Sequence, residues 1–314
     1  MDRLFLMGSH PTNFQLSVGY PRICHWTPSL SHVYKWPTSS VSSQTRLFAD
    51  DCILYRPIRH FSDCETLQNE LDKLAQWEQQ WACNSTLPNV TLSVTQSKTP
   101  FKYNDILKGH TLESVDTAKY LGIAISSNMT WNAHINNIAS KAQKLLGFLR
   151  RNLQIKNEHT KSIAYISLVR SNLEYCSTIW SPHTKKQKSE IEKVQHRAAR
   201  YTTGRFHNTS SMRSILDHLE WNSLEICRNI AKVTMLYKIP HSLVAINSDF
   251  YISSQTSLTR HSHSLRYKPF STSTDYFKFI FFPHTVVLWN ALPPDIVSAS
   301  SLDQFKSQIQ THYN

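Results

Sequence analysis

Two adjacent carboxylates are the clearest sign of chemistry in this chain. Asp50 and Asp51 lie between the short runs RLF and CILY. Carboxylate oxygens are ligands that Mg²⁺ prefers, and pairs of metal ions held in this way catalyse phosphoryl transfer. Asp is also a common residue of solvated turns. The dipeptide alone therefore leaves two interpretations open, a metal site and an ordinary turn.

The flanking sequence predicts the elements that would hold these carboxylates. Apolar, β-branched and aromatic residues on both sides of the polar pair predict two strands joined by a tight turn. A helix follows, for which Ser62 as N-cap and Glu65 three residues later fit a capping box. Its apolar face comprises Leu67, Leu71, Leu74 and Trp81.

The rest of the chain changes from strands to helices. Residues 90–127 read as strands, with a turn at Lys108-Gly109-His110 and a buried strand over residues 120–125. From residue 131 the apolar spacing is helical; Gly204 predicts a C-cap, and a later helix covers Leu224–Lys238. A last compact piece spans residues 277–305. Residues 1–45 show neither period, so we expect them to be poorly structured.

A second candidate site is a face of basic residues on one predicted helix. Its members follow offsets of 0, 7, 11 and 14 and so share one side of the helix: Lys186, Lys193, Arg197 and Arg200. Such a face can track a phosphate backbone without reading sequence. The alternative is a solvated face whose charges pair with Glu190 and Glu192.

Composition narrows the class of partner. Lys plus Arg number 34 against 22 Asp plus Glu, a net charge of +12 that favours an anionic partner such as nucleic acid or a membrane surface. The six cysteines form no Cys-x-x-Cys pair, which predicts a reducing, intracellular compartment, with the nucleus as one candidate. No apolar run is long enough to cross a membrane, so no membrane partner is predicted.

Together these segments resemble a known family. FADDCILY resembles the catalytic hairpin motif of reverse transcriptases from non-LTR, LINE-like retrotransposons. LQNELDKLAQWEQQW, GHTLESVDTAKYLGIAIS, IEKVQHRAARYTTG and FFPHTVVLWNALPPDIV resemble, in order, the family's next helix, its primer-grip strands, its thumb and the segment beyond. The resemblance covers nearly the whole chain after residue 43.

The resemblance implies roles for the residues singled out above. Asp50 would bind the catalytic Mg²⁺, with Asp51 beside it. Tyr120, Leu121 and Gly122 would lie near the primer terminus. The basic helix would contact the duplex of RNA template and DNA primer.

Departures from the family pattern concern the first part of the chain. The family needs another aspartate, in a motif like F-x-D-x-x-x-A-F-D, and residues 1–45 contain only Asp2, in a different context. Codons permitted for residues 24–38, shifted by one base, read VIGPPLFLMYINGLP, close to the family's V-x-G-P-L-L-F-x-x-Y-I-N-D-L-P. Residues 82–90 similarly read MQFNIAKC. We infer two frame-slipped stretches, and no counterpart of the fingers.

The sequence therefore predicts an α+β remnant. Residues 1–43 form a degenerate segment, 44–130 part of a polymerase palm, 131–210 a helical thumb-like region and 211–314 an extension. We expect a reverse transcriptase fragment that does not polymerise by itself. Two alternatives stay open: a non-catalytic nucleic-acid-binding module, and a pseudogene product without function.

Overall fold

The structure is a computed structural model of the 314-residue chain. It describes residues 13–19, 42–48, 51–80, 90–95, 103–206, 211–255, 263–272 and 275–313. These residues divide into two compact units, one ending at Ala133 and the other beginning at His134. None of the helices in these ranges has the length and apolar character needed to span a bilayer.

The first unit is built on a five-stranded sheet. Its strand order is β2-β3-β1-β4-β7, and all pairs are antiparallel except β4 with β7. The strands of this sheet are β1 (Asn13–Gly19), β2 (Gln44–Phe48), β3 (Asp51–Ile58), β4 (Val90–Val94) and β7 (Glu113–Ser114). Helix α1 (Phe61–Gln80) follows β3.

Strand β1 corrects the expectation that residues 1–45 are poorly structured. Its seven residues pair with β3 on one side and with β4 on the other. The sequence NFQLSVG alternates apolar Phe14, Leu16 and Val18 with polar residues, a period of two that favours a strand. The alternation is short, and the strands that pair with β1 are distant in sequence. The surrounding segment is rich in Ser and Pro, so the sequence alone did not predict a strand here.

Helix α1 buries the three leucines of the predicted apolar face but begins differently from the prediction. The fourth member, Trp81, lies outside the described residues. Leu67 and Leu71 are buried and pack with residues of β3 and of the later strands. The capping box at Ser62 was wrong, because the helix already begins at Phe61. Instead, the Asp63 carboxylate accepts hydrogen bonds from the backbone N–H groups of Arg59 and His60, both at 2.9 Å. Asp63 thus supplies the acidic half of a capping box.

Two small hairpins complete the first unit. One joins β5 (Ile106–Leu107) to β6 (His110–Thr111), which confirms the predicted turn. The other joins β8 (Thr117–Tyr120) to β9 (Ile123–Ser126). The single buried strand predicted for residues 120–125 was therefore wrong, because the chain reverses within it.

The second unit is helical. The helices are α2 (Asn132–Asn152), α3 (Glu158–Tyr165), α4 (Ser171–Glu174), α5 (Lys185–Thr203), α6 (Met212–His218), α7 (Leu224–Lys238), α8 (Asp275–Lys278), α9 (Phe281–Asn290), α10 (Pro294–Val297) and α11 (Leu302–Tyr313). A π-helical turn over Ile166–Arg170 links α3 to α4. The predicted bounds of α7 are confirmed, and Gly204 ends α5 in a left-handed conformation with φ +66°.

One hydrophobic core of this unit lies among α7, α9 and α11. Tyr237 stacks on Phe305, and the Tyr237 hydroxyl donates to the Ala299 carbonyl at 2.8 Å. Trp289 is buried and donates through Nε1 to the Leu265 carbonyl. The mixture of a mainly antiparallel sheet unit and a helical unit is compatible with the α+β class. The four-part division proposed from the sequence, and its palm and thumb, stay predictions.

Candidate functional site

The strands that flank the paired carboxylates have the predicted antiparallel pairing. Strands β2 and β3 pair so that Phe48 lies opposite Asp51, which leaves two residues for the turn. Asp51 opens β3. Asp50 itself, and the side chain of Asp51, lie outside the part of the chain that the structure describes. Their catalytic and metal-binding roles therefore stay predictions.

A third carboxylate for a metal site could come from the strand next to this hairpin. Strand β1 lies next to β3, and its last residue, Gly19, is opposite Cys52, one residue from Asp51. None of the seven residues of β1 is acidic. Within the described ranges, no three His, Cys, Asp or Glu residues cluster in a way that could hold a metal ion. The magnesium site that the resemblance implies, and its incompleteness, stay predictions.

The three residues predicted to lie near a primer terminus form the tip of a different hairpin. Tyr120 ends β8 and is 6% exposed, while Leu121 and Gly122 make the two-residue turn to β9 with φ +45° and +83°. Two successive positive φ values match a type I′ turn. This hairpin forms its own two-stranded sheet, separate from the sheet that carries Asp51.

Helix α5 presents the predicted basic face. The Thr184 hydroxyl accepts from the Gln187 N–H at 3.2 Å at its first turn. The apolar stripe of Ile191, Val194 and Ala198 is fully buried. Around the helix, Lys186, Lys193 and Arg197 are exposed, whereas Arg200 is half-buried and its Nε is enclosed. Three of the four predicted residues are therefore available to a partner.

The charges on this face are only partly compensated. Lys193 forms an ion pair with Glu190 at 2.7 Å, as the solvated-face alternative requires. The pKa of Glu190 is lowered by that hydrogen bond and charge first, and also by Lys186 and Arg197. Within the described ranges, neither Lys186 nor Arg197 has a carboxylate at ion-pair distance. The face keeps a surplus of positive charge.

Polar contacts hold the other sides of α5 against its neighbours. Lys188 pairs with Glu225 at 2.6 Å, and the Glu192 carboxylate accepts from the Glu225 N–H at 3.0 Å, in the first turn of α7. Gln195 donates to the Asn222 carbonyl at 2.8 Å. Glu192 is therefore turned toward α7 and does not neutralise the basic face, contrary to the alternative interpretation.

Two buried cations on α7 were not predicted from the sequence. Arg228 and Lys232 are 2% and 1% exposed. The Lys232 amine lies 3.1 Å from Nδ1 of His284 on α9. Burial, followed by the charges of Arg228 and Lys188, lowers the pKa of Lys232 to about 7. Their spacing of four residues was the available signal, but a basic pair on a helix is usually solvent-exposed.

Comparison with known proteins gives one distant likeness to report. The chain is 24% identical over 208 residues to the probable RNA-directed DNA polymerase from transposon X-element of Drosophila melanogaster. The alignment covers 62% of this chain and 22% of the fly protein, so the chain spans about a fifth of that relative. No protein-family model and no solved structure matches. The likeness supports a distant relationship to transposon reverse transcriptases.

Proposed function

We propose that the chain derives from a non-LTR retrotransposon reverse transcriptase and keeps the end of its palm, its thumb and the segment beyond. The partial likeness to the transposon polymerase supports this origin. Two frame-slipped stretches, residues 24–38 and 82–90, account for the departures from the family motifs; nearly all of both lies outside the described residues. The nucleotide sequence of this region tests the slip. A gene without family motifs in either shifted frame would overturn it.

The 314-residue chain by itself does not synthesise DNA. The observation that supports this proposal is that strand β1, next to the Asp51 hairpin, contains no Asp or Glu. Two Mg²⁺ ions need carboxylates from more than one direction to bridge the attacking and leaving oxygens. A lone acidic turn leaves the metals without a clamp.

A primer-extension assay with Mg²⁺ tests this proposal. We expect no extension of a DNA primer on an RNA template. The wild-type chain and Asp50→Ala should give the same background. Synthesis that requires Mg²⁺ and disappears in Asp50→Ala would contradict the proposal.

A second function is nucleic-acid binding without chemistry through the exposed part of the basic face, Lys186, Lys193 and Arg197. The surplus charge on α5 favours it, because each lysine or arginine that meets a phosphate releases counterions. The contacts of α5 with α7 hold the helix in one orientation, so the three side chains point to the same side. We expect duplex binding that depends on salt and not on sequence.

Titration of a labelled duplex over a range of salt concentrations tests this function. Changing the three residues together to Ala should weaken binding and reduce the slope of log K against log salt by about 2–3, at ~0.9 per phosphate contact. A matched control changes three exposed basic residues elsewhere in the second unit to Ala: Arg213, Lys268 and Lys306. It removes the same charge and should keep most of the affinity and slope.

Glu190→Gln provides a test in the opposite direction. The substitution frees Lys193 from its ion pair, so binding should strengthen by roughly two- to fivefold, in keeping with the small contribution of exposed ion pairs.

Equal losses of affinity in the triple variant and its control would show that only net charge matters. That result would remove the basic face as the binding site.

A further inference from the structure

The interface between α5 and α7 contains complementary polar atoms that are buried. Arg228 on α7 is 2% exposed, and both Nη1 and Nη2 are enclosed without a hydrogen-bond partner. On α5, Oε2 of Glu192 is likewise enclosed without a partner, while its other oxygen accepts from the Glu225 N–H. Arg228 is three residues from Glu225 and so shares the side of α7 that Glu192 contacts. Two donors and one acceptor of opposite charge therefore belong to neighbouring residues of these two helices.

Elementary electrostatics requires that these groups compensate each other. A guanidinium group stays protonated in proteins, so Arg228 cannot avoid its burial by losing a proton. A buried charge without a counter-charge is strongly unfavourable. Burial lowers the pKa of Arg228, and the charge of Glu192 is the foremost influence that opposes this. The two lie beyond direct ion-pair distance, and a water molecule needs two to four polar partners, which these three atoms provide.

We propose that Arg228 and Glu192 form a buried charge pair, bridged by one water molecule, that positions α5 and hence its basic face. Glu192 is the central residue of this arrangement, because it also binds the first turn of α7. The ion pair of Lys188 with Glu225 flanks it. Arg228 touches no nucleic acid itself; it is a positioning residue, and this part of the inference rests on the proposed binding function.

A double-mutant cycle in thermal unfolding tests the pair without any nucleic acid. Arg228→Met leaves Glu192 buried without a counter-charge and should lower the Tm by about 6–15 °C. Glu192→Gln should also lower it, and the double variant should lose much less than the sum of the two. Additive losses, or an Arg228→Met variant more stable than wild type, would overturn the pair.

Duplex affinity then tests the positioning role. Affinity is measured at a temperature well below the Tm of each variant. Arg228→Met should bind the duplex about three- to tenfold more weakly than wild type, with a smaller slope of log K against log salt. The matched control is Leu236→Ala on the same helix, a buried residue of the core shared with α9 and α11, which should lose comparable stability but keep its affinity. Equal weakening in both variants would overturn the role.

The two failures are distinguishable. A wild-type chain that binds no duplex would remove the proposed function and the positioning role with it. The thermal cycle would still decide whether Arg228 and Glu192 are coupled.

Discussion

Replacing Lys232 with Met should stabilise the helical unit. The side chain is 1% exposed, and its amine contacts the imidazole of His284, whose own pKa is lowered to about 4 by burial and then by Lys232. Arg228 and Lys188 add positive charge around the amine, and Glu225 only partly offsets them. Methionine fills a similar volume without a charge.

The magnitude follows from the difference in pKa between the two states. Lys232 has a pKa of about 7 when folded, against the usual 10.5, so the unfolded chain binds more protons between these values. Stability therefore rises with pH across this window, by about 1.5 kcal/mol between pH 7 and 8.5. At pH 7 burial of the Lys232 charge costs about 4 kcal/mol of folding stability. Lys232→Met removes this cost but also loses the hydrogen bond to His284, so the free energy of unfolding should rise by roughly 2–3 kcal/mol.

Guanidinium unfolding followed by far-UV circular dichroism, which reports mainly on the helices, measures both effects. Wild type and Lys232→Met are compared at pH 7.0 and 8.5 at equal ionic strength. This range stays below the titration of Cys227, whose pKa burial raises to about 12. Equal pH slopes in the two proteins, or a Lys232→Met variant less stable than wild type at pH 7, would show that burial of the Lys232 charge does not destabilise the fold.

Three further predictions concern the sheet unit. Leu121→Asn should raise stability by about 1 kcal/mol in thermal unfolding, because Leu121 has φ +45° and Asn tolerates this region better; an unchanged or lower Tm would count against it. Glu70→Ala should lose about 3 kcal/mol at pH 7, since the carboxylate accepts from the N–H and hydroxyl of Ser42 at 2.6 and 2.8 Å. Burial raises the pKa of Glu70, but the hydrogen bonds from Ser43 and Ser42 outweigh burial, so the pKa of the folded protein is lowered. The stability that Glu70 adds should therefore be lost as the pH falls through this pKa. A difference between wild type and Glu70→Ala that does not change with pH would contradict this role of Glu70. Asp63→Ala should cost about 1 kcal/mol in chemical unfolding and Ser62→Ala less than half of that; the reverse order would restore the capping box at Ser62.

The helices were the most predictable part of the fold, because their signals are local. Apolar periodicity and end residues set the bounds of α7 and the end of α5 at Gly204. Strand β1 escaped prediction because its seven residues become a strand only by pairing with β3 and β4. The turn at Leu121 and Gly122 was hidden because Leu rarely adopts a positive φ, so an apolar run looked like one strand.

The residues of the candidate site also differ in whether local sequence could predict them. Helical spacing predicted the exposed Lys186, Lys193 and Arg197, but it placed the half-buried Arg200 on the same face. The burial of Arg228 and Lys232 could not be predicted in this way, because it depends on α5 and on His284 of α9, about fifty residues further along the chain. Only a tertiary structure shows which helix covers a basic pair.

Site-directed photo-crosslinking tests most directly the proposal that α5 contacts nucleic acid. A photoreactive residue replaces the exposed Ser189, which lies between Lys186 and Lys193, or the exposed Ser271 as control. Each protein is irradiated with a labelled duplex at low and high salt. We expect crosslinks from position 189 that decrease with salt and few from position 271. Equal yields from the two positions, or a higher yield from 271, would contradict this proposal.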